Sequence, residues 1–198
     1  MSIKNSYTTA DPIEWDTMLS WIHRLYRDGD YTMSLFIGCG SFFGLRVSDL
    51  RLLTWDQLLS PSRTFVIREI KTGKRREIRI NANFQKHIRD CYDSLGLDDT
   101  YPYKQVFISQ KQTVYSPQAL NRMLKECKKK YNIKVEHLST HSLRKTFGRK
   151  VVESAGAQSE MALIKLCEIF NHTSPAVTRR YLGLRQQELG AVYDGLDF

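Results

Sequence analysis

A histidine, two adjacent arginines and a tyrosine lie within one short segment near the end of the 198-residue chain, NHTSPAVTRRYLGL (171–184). A tyrosine hydroxyl has a pKa of about 10 and is a weak nucleophile at neutral pH unless its surroundings activate it. Neighbouring arginines favour the phenolate and also bind phosphate. The segment therefore fits two interpretations: a core aromatic beside basic residues, or a nucleophile, Tyr181, directed at a phosphate.

Two other helical segments carry reactive or phosphate-binding side chains. In GLRVSDL, Arg46 follows a glycine turn and Asp49 lies one helical turn later on the same face. In THSLRKTFGRK, His141 and Arg144 are three residues apart and share a helix face, and Lys145 adds positive charge beside them. Taken alone, the first pattern is typical of a surface ion pair and the second of a solvated helix face.

Between these segments the sequence changes to strand periodicity. The stretches FVIREI (65–70) and REIRI (76–80) alternate apolar and polar residues and flank KTGKR, which predicts a β-hairpin with a basic tip. Lys71 and Lys74 lie at this tip, and a solvated turn is the simplest interpretation of such a cluster in isolation.

Helical spacing covers most of the remaining chain. The predicted helices run from Asp11-Pro12 to Asp28 and over about 31–42, 46–53, 83–95, 117–131, 141–155 and 159–170. Asp11 is the expected N-cap of the first helix, and a short third strand is expected at 105–109. The fold class is therefore mainly α (α+β): a helical bundle with a small antiparallel sheet inserted after the third helix.

The charge balance indicates a polyanionic partner. The formal net charge is +9 and the pI about 9.4, which favours nucleic acid among possible partners. Residues 63–79 hold seven Arg or Lys against two Glu, and 125–134 hold five Lys against one Glu. No basic residue follows Arg185, so the C-terminal end does not have the composition of a DNA-binding arm.

Other composition signals narrow the class of protein. The four cysteines are widely spaced with no CxxC pair, which favours free thiols in a reducing compartment over a zinc site. The N-terminus lacks the apolar stretch of a secretory signal, and no apolar run is long enough to span a bilayer. We therefore expect a cytoplasmic protein that does not associate with membranes.

Taken in order, the segments GLRVSDL, IKTGK, HSLRKTF and NHTSPAVTRRY resemble the signature of the tyrosine recombinases, also called the phage integrase family. The resemblance covers the family's catalytic domain, from about residue 11 to 195. The nine-residue step from His172 to Tyr181 is also the usual family spacing. One departure is visible: the third motif often reads LGH and here reads FNH, which we expect to affect packing more than chemistry.

The resemblance implies a role for each matching residue. The paired arginines on the scissile phosphate would be Arg46 and Arg144, the hairpin lysine Lys71, the two motif histidines His141 and His172, the nucleophile Tyr181 and the supporting acid Asp49. Further expected DNA contacts are Lys74, Arg75, Arg76, Lys145, Arg179 and Arg180. Lys74 remains an alternative to Lys71 as the proton donor. Neither a metal nor a cofactor is implied.

The implied reaction is cleavage and rejoining of DNA strands through a 3′-phosphotyrosyl intermediate. The implied function is site-specific recombination of double-stranded DNA in a prokaryotic cell, phage or mobile element, and integration, excision and inversion all remain open. Two alternatives are a type IB topoisomerase, which uses the same chemistry on one duplex, and a DNA-binding regulator that keeps the fold without the activity.

The resemblance also predicts how the chain is organised. We expect residues 1–198 to form a single catalytic domain without the helical core-binding domain that precedes it in most members, either in a naturally short protein or in a fragment of a longer one. Apolar positions in 184–196 predict a helix that docks on a neighbouring protomer, although packing on its own domain is an alternative. We expect a monomer in free solution and a homotetramer on DNA.

Overall fold

The predicted helices and hairpin are present in the computed structural model, which describes residues 10–97, 104–184 and 193–195. The helices in these ranges are α1 (Trp15–Arg27), α2 (Tyr31–Phe43), α3 (Val47–Leu50), α4 (Trp55–Leu58), α5 (Ala82–Ser94), α6 (Pro117–Tyr131), α7 (Thr140–Ala155), α8 (Ser159–Phe170) and α9 (Pro175–Leu182). The strands β1 (Thr64–Arg68) and β2 (Arg75–Arg79) form a two-stranded antiparallel sheet. The mainly helical α+β class is therefore confirmed.

The chain divides into two compact units, an N-terminal unit that ends at Thr146 and a C-terminal unit that begins at Phe147. The first residues of α7 belong to the N-terminal unit and the rest belong to the C-terminal unit. The interpretation of residues 1–198 as a single catalytic domain remains a prediction.

Helix α2 lies at the centre of the N-terminal unit. Nearly all of its residues are buried because its sequence, YTMSLFIGCGSFF, is apolar on every face. Gly40 lets α7 approach closely, since a Cβ at this position would lie 2.6 Å from Leu143. The helix ends at Gly44, whose φ of 58° is a left-handed conformation that glycine adopts without strain. This turn leads directly into Arg46.

The first helix begins later than the sequence predicts. It starts at Trp15 with Glu14 at the N-cap, so the assignment of Asp11 as the cap is wrong. Asp11 instead pairs with His137: its backbone N–H donates to the His137 carbonyl at 2.9 Å, and its carboxylate accepts from the His137 backbone N–H at 2.9 Å. These bonds hold the segment before α7 against the segment before α1.

The sheet has the register expected of a short hairpin, with Thr64 opposite Arg79 and Arg68 opposite Arg75. The additional four-residue helix α4 separates it from α3. The third strand expected at 105–109 is wrong: Gln105 and Ile108 form only isolated bridges, to Thr54 and Val114. The chain bends there because the Ser109 backbone N–H donates to the Thr113 carbonyl and closes a tight turn.

The C-terminal unit packs the second part of α7 with α8 and α9 around Leu163, Leu166, Phe170 and Leu182. Helix α9 begins at a strong start signal, because the Ser174 hydroxyl accepts from the Val177 backbone N–H and Pro175 occupies the first turn. Gly183, with φ of 74°, ends it. The Arg149 Nε–H donates to the Leu182 carbonyl at 2.7 Å, which ties the end of α9 to α7.

The C-terminal segment is described only in part. Most of the docking helix predicted at 184–196 falls outside the described residues, although Tyr193 is described and is exposed.

Within the described ranges, none of the helices combines the length and apolar character needed to cross a membrane.

Candidate active site

Arg46 is held by a carboxylate that the sequence analysis did not identify. Its Nη1–H donates to Glu69 Oε2 at 2.8 Å, and its side chain is 16% exposed. Glu69 follows β1 and is buried. Because a partly buried guanidinium keeps a fixed direction when it is bonded to a buried carboxylate, this pair orients Arg46. Asp49, which was considered as a surface partner of Arg46, is buried and accepts a hydrogen bond from the hairpin at the Ile70 backbone N–H.

Arg144 lies against the turn that precedes Arg46. Its Nη1–H donates to the Gly44 carbonyl at 2.5 Å, and the residue is buried. Gly44 is two residues before Arg46, and Leu143 packs against Gly40 in the preceding helix. The two arginines to which the family resemblance gives one phosphate are therefore brought to the same turn at the end of α2, from positions almost 100 residues apart.

The His141 imidazole lies in a strongly cationic environment. Partial burial of the ring is the main cause that lowers its pKa from the ordinary value, although part of the residue is exposed. Arg144, Lys145, Arg46 and Lys71 lower the pKa further because they disfavour a second positive charge. The N-terminal unit thus brings together four of the six predicted catalytic positions, and the lowered pKa of His141 favours its neutral imidazole.

We expect the His141 imidazole to titrate below pH 6.5 in the free protein. Replacing Lys71 with alanine removes one of the charges that disfavour protonation, so it should raise the titration midpoint. An NMR titration of the His141 ring protons measures both effects. Arg75→Ala is the matched control because Arg75 is an exposed cation of the same hairpin that does not contribute to the shift. A midpoint above 6.5 in the unmodified protein would contradict the placement of His141 among these cationic side chains.

Lys71 is exposed at the hairpin tip, and the residues on both sides of it are anchored. The Ile70 backbone N–H donates to Asp49 Oδ1 at 2.8 Å. The Thr72 hydroxyl donates to Glu69 Oε2 at 2.9 Å, and the Gly73 backbone N–H donates to the Glu69 carbonyl at 2.8 Å. The buried carboxylate of Asp49, predicted only as a supporting acid, therefore fixes the start of the turn that carries Lys71.

The six predicted DNA contacts separate into accessible and packed residues. Lys74, Arg75 and Arg180 are exposed. Arg76 instead points inward: its Nη2–H donates to the Phe43 carbonyl at 2.5 Å, and burial, opposed by Glu69, lowers its pKa.

The other two predicted contacts are also engaged within the protein. Lys145 is buried, and Arg179 is partly buried and pairs with Glu160 of α8. This arrangement favours structural roles for Arg76 and Lys145 over the DNA contacts predicted for them. Arg179 likewise has a protein partner, which joins the helix that carries Tyr181 to α8.

In the C-terminal unit, His172 and Tyr181 lie beside each other with ring centroids 5.3 Å apart in an edge-to-face arrangement. His172 Nδ1 and the Thr178 hydroxyl are hydrogen-bonded at 3.0 Å, and Thr178 is fully buried. The His172 backbone N–H also donates to the Cys167 carbonyl at 3.0 Å. Thr178 was not among the residues that the sequence analysis singled out.

The departure from the family motif, FNH in place of LGH, has a clear structural basis. Phe170 packs edge-to-face against both His172 and Tyr181, with centroid distances of 5.4 and 5.7 Å. Asn171 ends α8 with φ of 51°, a left-handed conformation that asparagine tolerates better than other non-glycine residues. Both substitutions therefore preserve the turn that presents His172.

Comparison with known proteins identifies the family. The sequence matches the Phage integrase family over residues 4–188. It is 29% identical over 164 residues to the probable integrase/recombinase YoeC of Bacillus subtilis strain 168, covering 83% of this chain and 82% of that protein.

Two solved structures share the fold. The XerA recombinase superposes with a TM-score of 0.68 at 22% identity, covering 94% of this chain and 66% of that one. The XerH site-specific recombinase, solved in a post-cleavage complex with its palindromic difH substrate, gives 0.67 at 16% identity, covering 94% of this chain and 53% of that one.

The structural neighbours and the family match show that this chain has the fold of a tyrosine recombinase catalytic domain. The chain belongs to the phage integrase family. It spans only about half to two thirds of the two recombinase chains whose structures it resembles.

Proposed function

We propose that this protein is a site-specific DNA recombinase that cleaves and rejoins DNA strands through a covalent 3′-phosphotyrosyl intermediate. The observation that carries the proposal is the convergence of Arg46, Lys71 and Arg144 on the imidazole of His141 in the N-terminal unit. A site of this kind suits a phosphodiester, which is anionic and gains further negative charge as it is cleaved.

Arg46 and Arg144 have the role of binding the two non-bridging oxygens of the scissile phosphate. A guanidinium stays charged at every relevant pH and presents donors in a planar fork that matches these oxygens. Preorganised charge of this kind is commonly the largest contribution to catalysis. The anchoring of Arg46 by Glu69 and of Arg144 by Gly44 means that little rearrangement is needed when the phosphate arrives.

Tyr181 has the role of nucleophile. Its oxygen attacks phosphorus, the bond to the 5′ oxygen breaks, and the products are a 3′-phosphotyrosyl link and a free 5′ hydroxyl. Because the link retains the energy of the phosphodiester, a 5′ hydroxyl from another strand can reverse the step without ATP.

Three other groups assist the transfer. His141, whose lowered pKa favours the neutral imidazole, accepts or relays the phenol proton, and Lys71 gives a proton to the leaving 5′ oxygen. His172, with its Nδ1 held by Thr178, donates from Nε2 to the phosphate.

The proposed partner is double-stranded DNA. Support comes from the net charge of +9, the exposed basic residues of the hairpin, and a fold shared with XerH, whose structure was solved on DNA. We also propose that residues 1–198 act as one catalytic domain, and that protomers assemble as tetramers on DNA through the segment 184–196.

Binding to DNA should be largely electrostatic. We expect the logarithm of the association constant to fall linearly with the logarithm of salt concentration, and the dissociation constant to be on the order of micromolar at physiological salt. Arg75→Ala should reduce the salt slope by about one, because one phosphate contact is lost. Fluorescence anisotropy with labelled duplex DNA at several salt concentrations measures this. Tight binding that does not change with salt would contradict the prediction.

The experiment that tests the function is covalent trapping on nicked duplex DNA. A nick beside the scissile phosphate lets the short cleaved piece diffuse away, so the phosphotyrosyl complex accumulates and survives denaturing electrophoresis. Duplexes from the ends of the surrounding genetic element are the substrates to test. A protein that binds these duplexes and never forms the adduct would instead be a non-catalytic DNA-binding regulator.

A further inference from the structure

One buried carboxylate contacts both a proposed phosphate-binding residue and the turn of the proposed proton donor. Glu69 is only 3% exposed. Its Oε2 accepts from Arg46 Nη1 at 2.8 Å and from the Thr72 hydroxyl at 2.9 Å. A single carboxylate oxygen therefore joins Arg46 to the residue that follows Lys71.

The backbone of Glu69 closes the same turn. Its carbonyl accepts from the Gly73 backbone N–H at 2.8 Å, and its own N–H donates to the Lys74 carbonyl at 3.0 Å. Residues 70–73 are thereby enclosed between two bonds to one residue. Because Thr72 is bonded to the side chain of Glu69 as well, movement of this carboxylate is transmitted to the turn.

A second arginine keeps the carboxylate in place. Arg76 Nη1 lies 3.8 Å from Glu69 Oε1, and its Nη2–H is fixed to the Phe43 carbonyl at the end of α2. A buried carboxylate is strongly disfavoured unless cations and hydrogen-bond donors surround it, so the contacts with Arg46 and Arg76 stabilise the Glu69 side chain in one position. Through Arg76, the carboxylate is therefore linked to the end of α2 as well as to the hairpin.

We propose that Glu69 is a positioning residue that sets the direction of Arg46 and the placement of Lys71 together. The assignment of roles to Arg46 and Lys71 rests on the proposed function. Glu69 itself does not touch DNA; it acts through Arg46 on the non-bridging oxygens and through Thr72 on the turn that delivers the proton.

The first test measures single-turnover cleavage of nicked DNA by Glu69→Gln. The amide keeps the size of the side chain and loses its charge, so we expect cleavage to slow by about 10–100-fold, as when a group that orients a metal-binding side chain is removed. DNA affinity should be unchanged, and Glu69→Asp should restore part of the rate. Glu77→Gln is the matched control, because Glu77 is an exposed carboxylate on the same hairpin, and it should cleave normally.

The two routes of action can be separated. Thr72→Val removes only the link to the Lys71 turn, so its defect should disappear on a substrate with a 5′-bridging sulfur, whose thiolate leaves without a proton. Glu69→Gln should recover only in part on that substrate, because Arg46 is still misdirected. In an Arg46→Ala background, Glu69→Gln should cause only the loss that Thr72→Val causes. Normal cleavage by Glu69→Gln would overturn the proposal. So would a Glu69→Gln variant that slows cleavage in the Arg46→Ala background by the same factor as it does when Arg46 is present.

A second measurement does not depend on activity. In ¹⁵N NMR spectra of the free protein, rotation of the Arg46 guanidinium should be slow in the wild type and fast in Glu69→Gln, and the amide signals of 70–73 should shift together. Glu77→Gln should leave both unchanged. An unaffected Arg46 signal in Glu69→Gln would refute the coupling even if the protein never cleaves DNA. A wild-type protein that shows the coupling and forms no adduct would refute the proposed function alone.

Discussion

Tyr181→Phe is expected to form no covalent complex with nicked DNA while binding that DNA as well as the wild type does. The change removes one oxygen, which is the atom proposed to attack phosphorus. The aromatic ring remains, so the edge-to-face contacts with Phe170 and His172 are preserved and the fold should be retained. Denaturing electrophoresis of end-labelled DNA measures the adduct, and anisotropy measures binding.

The matched control for this variant is Tyr115→Phe, which removes the hydroxyl of a partly buried tyrosine in the N-terminal unit. It should form the adduct at the normal rate. Peptide mapping of the wild-type adduct should place the DNA on Tyr181. An adduct of normal yield from Tyr181→Phe would end the assignment of this residue as the nucleophile.

The second large effect is expected for the hairpin lysine. Lys71→Ala should slow cleavage of ordinary DNA by about 10²–10⁴-fold, the range typical of a lost general acid. On DNA with sulfur in the 5′-bridging position, the leaving thiolate needs no proton, so the variant should recover most of its rate. Single-turnover cleavage of the two substrates in parallel measures the recovery.

Two variants show whether that recovery is specific. Arg144→Ala should lose about 10²–10³-fold on both substrates, because it stabilises charge on the non-bridging oxygens and not on the leaving group. Lys74→Ala removes an equivalent exposed charge from the same turn and should show no rescue. If Lys74→Ala is rescued and Lys71→Ala is not, the roles of the two lysines are exchanged. If neither is rescued, the proton comes from another group.

Local signals were sufficient to predict most of the helices. Helix α6, for example, has Ser116 at its N-cap, Pro117 in its first turn and Asn132 in a left-handed conformation at its end, and its predicted bounds are those observed. Asp11 carried an equally good start signal and was misread, because its partner, His137, is 126 residues away. The strand expected at 105–109 failed for a similar reason: its apolar residues are buried by packing and not by pairing in a sheet.

Motif spacing located the candidate catalytic residues but not the residues that hold them. Glu69 lies near the end of a stretch that alternates like a strand, and nothing in that pattern indicates that Arg46 is its partner. The inward position of Arg76 was easier to predict from the sequence, because Arg76 lies two residues before the buried Ile78 and therefore on the inner face of β2. Lys145 had no such signal, because helical spacing does not show that Lys145 lies on a buried face of α7.

The anchoring of the turn around Lys71 also determines the stage at which the conformational entropy of this turn is lost. Fixing the backbone of one residue costs about 1–2 kcal/mol at 25 °C. Because Asp49 and Glu69 already fix residues 70–73 in the free protein, this loss is incurred during folding and is compensated by the core. Under the proposed function, DNA would meet a turn whose backbone is already ordered, so the affinity for DNA would not be reduced by the ordering of this turn.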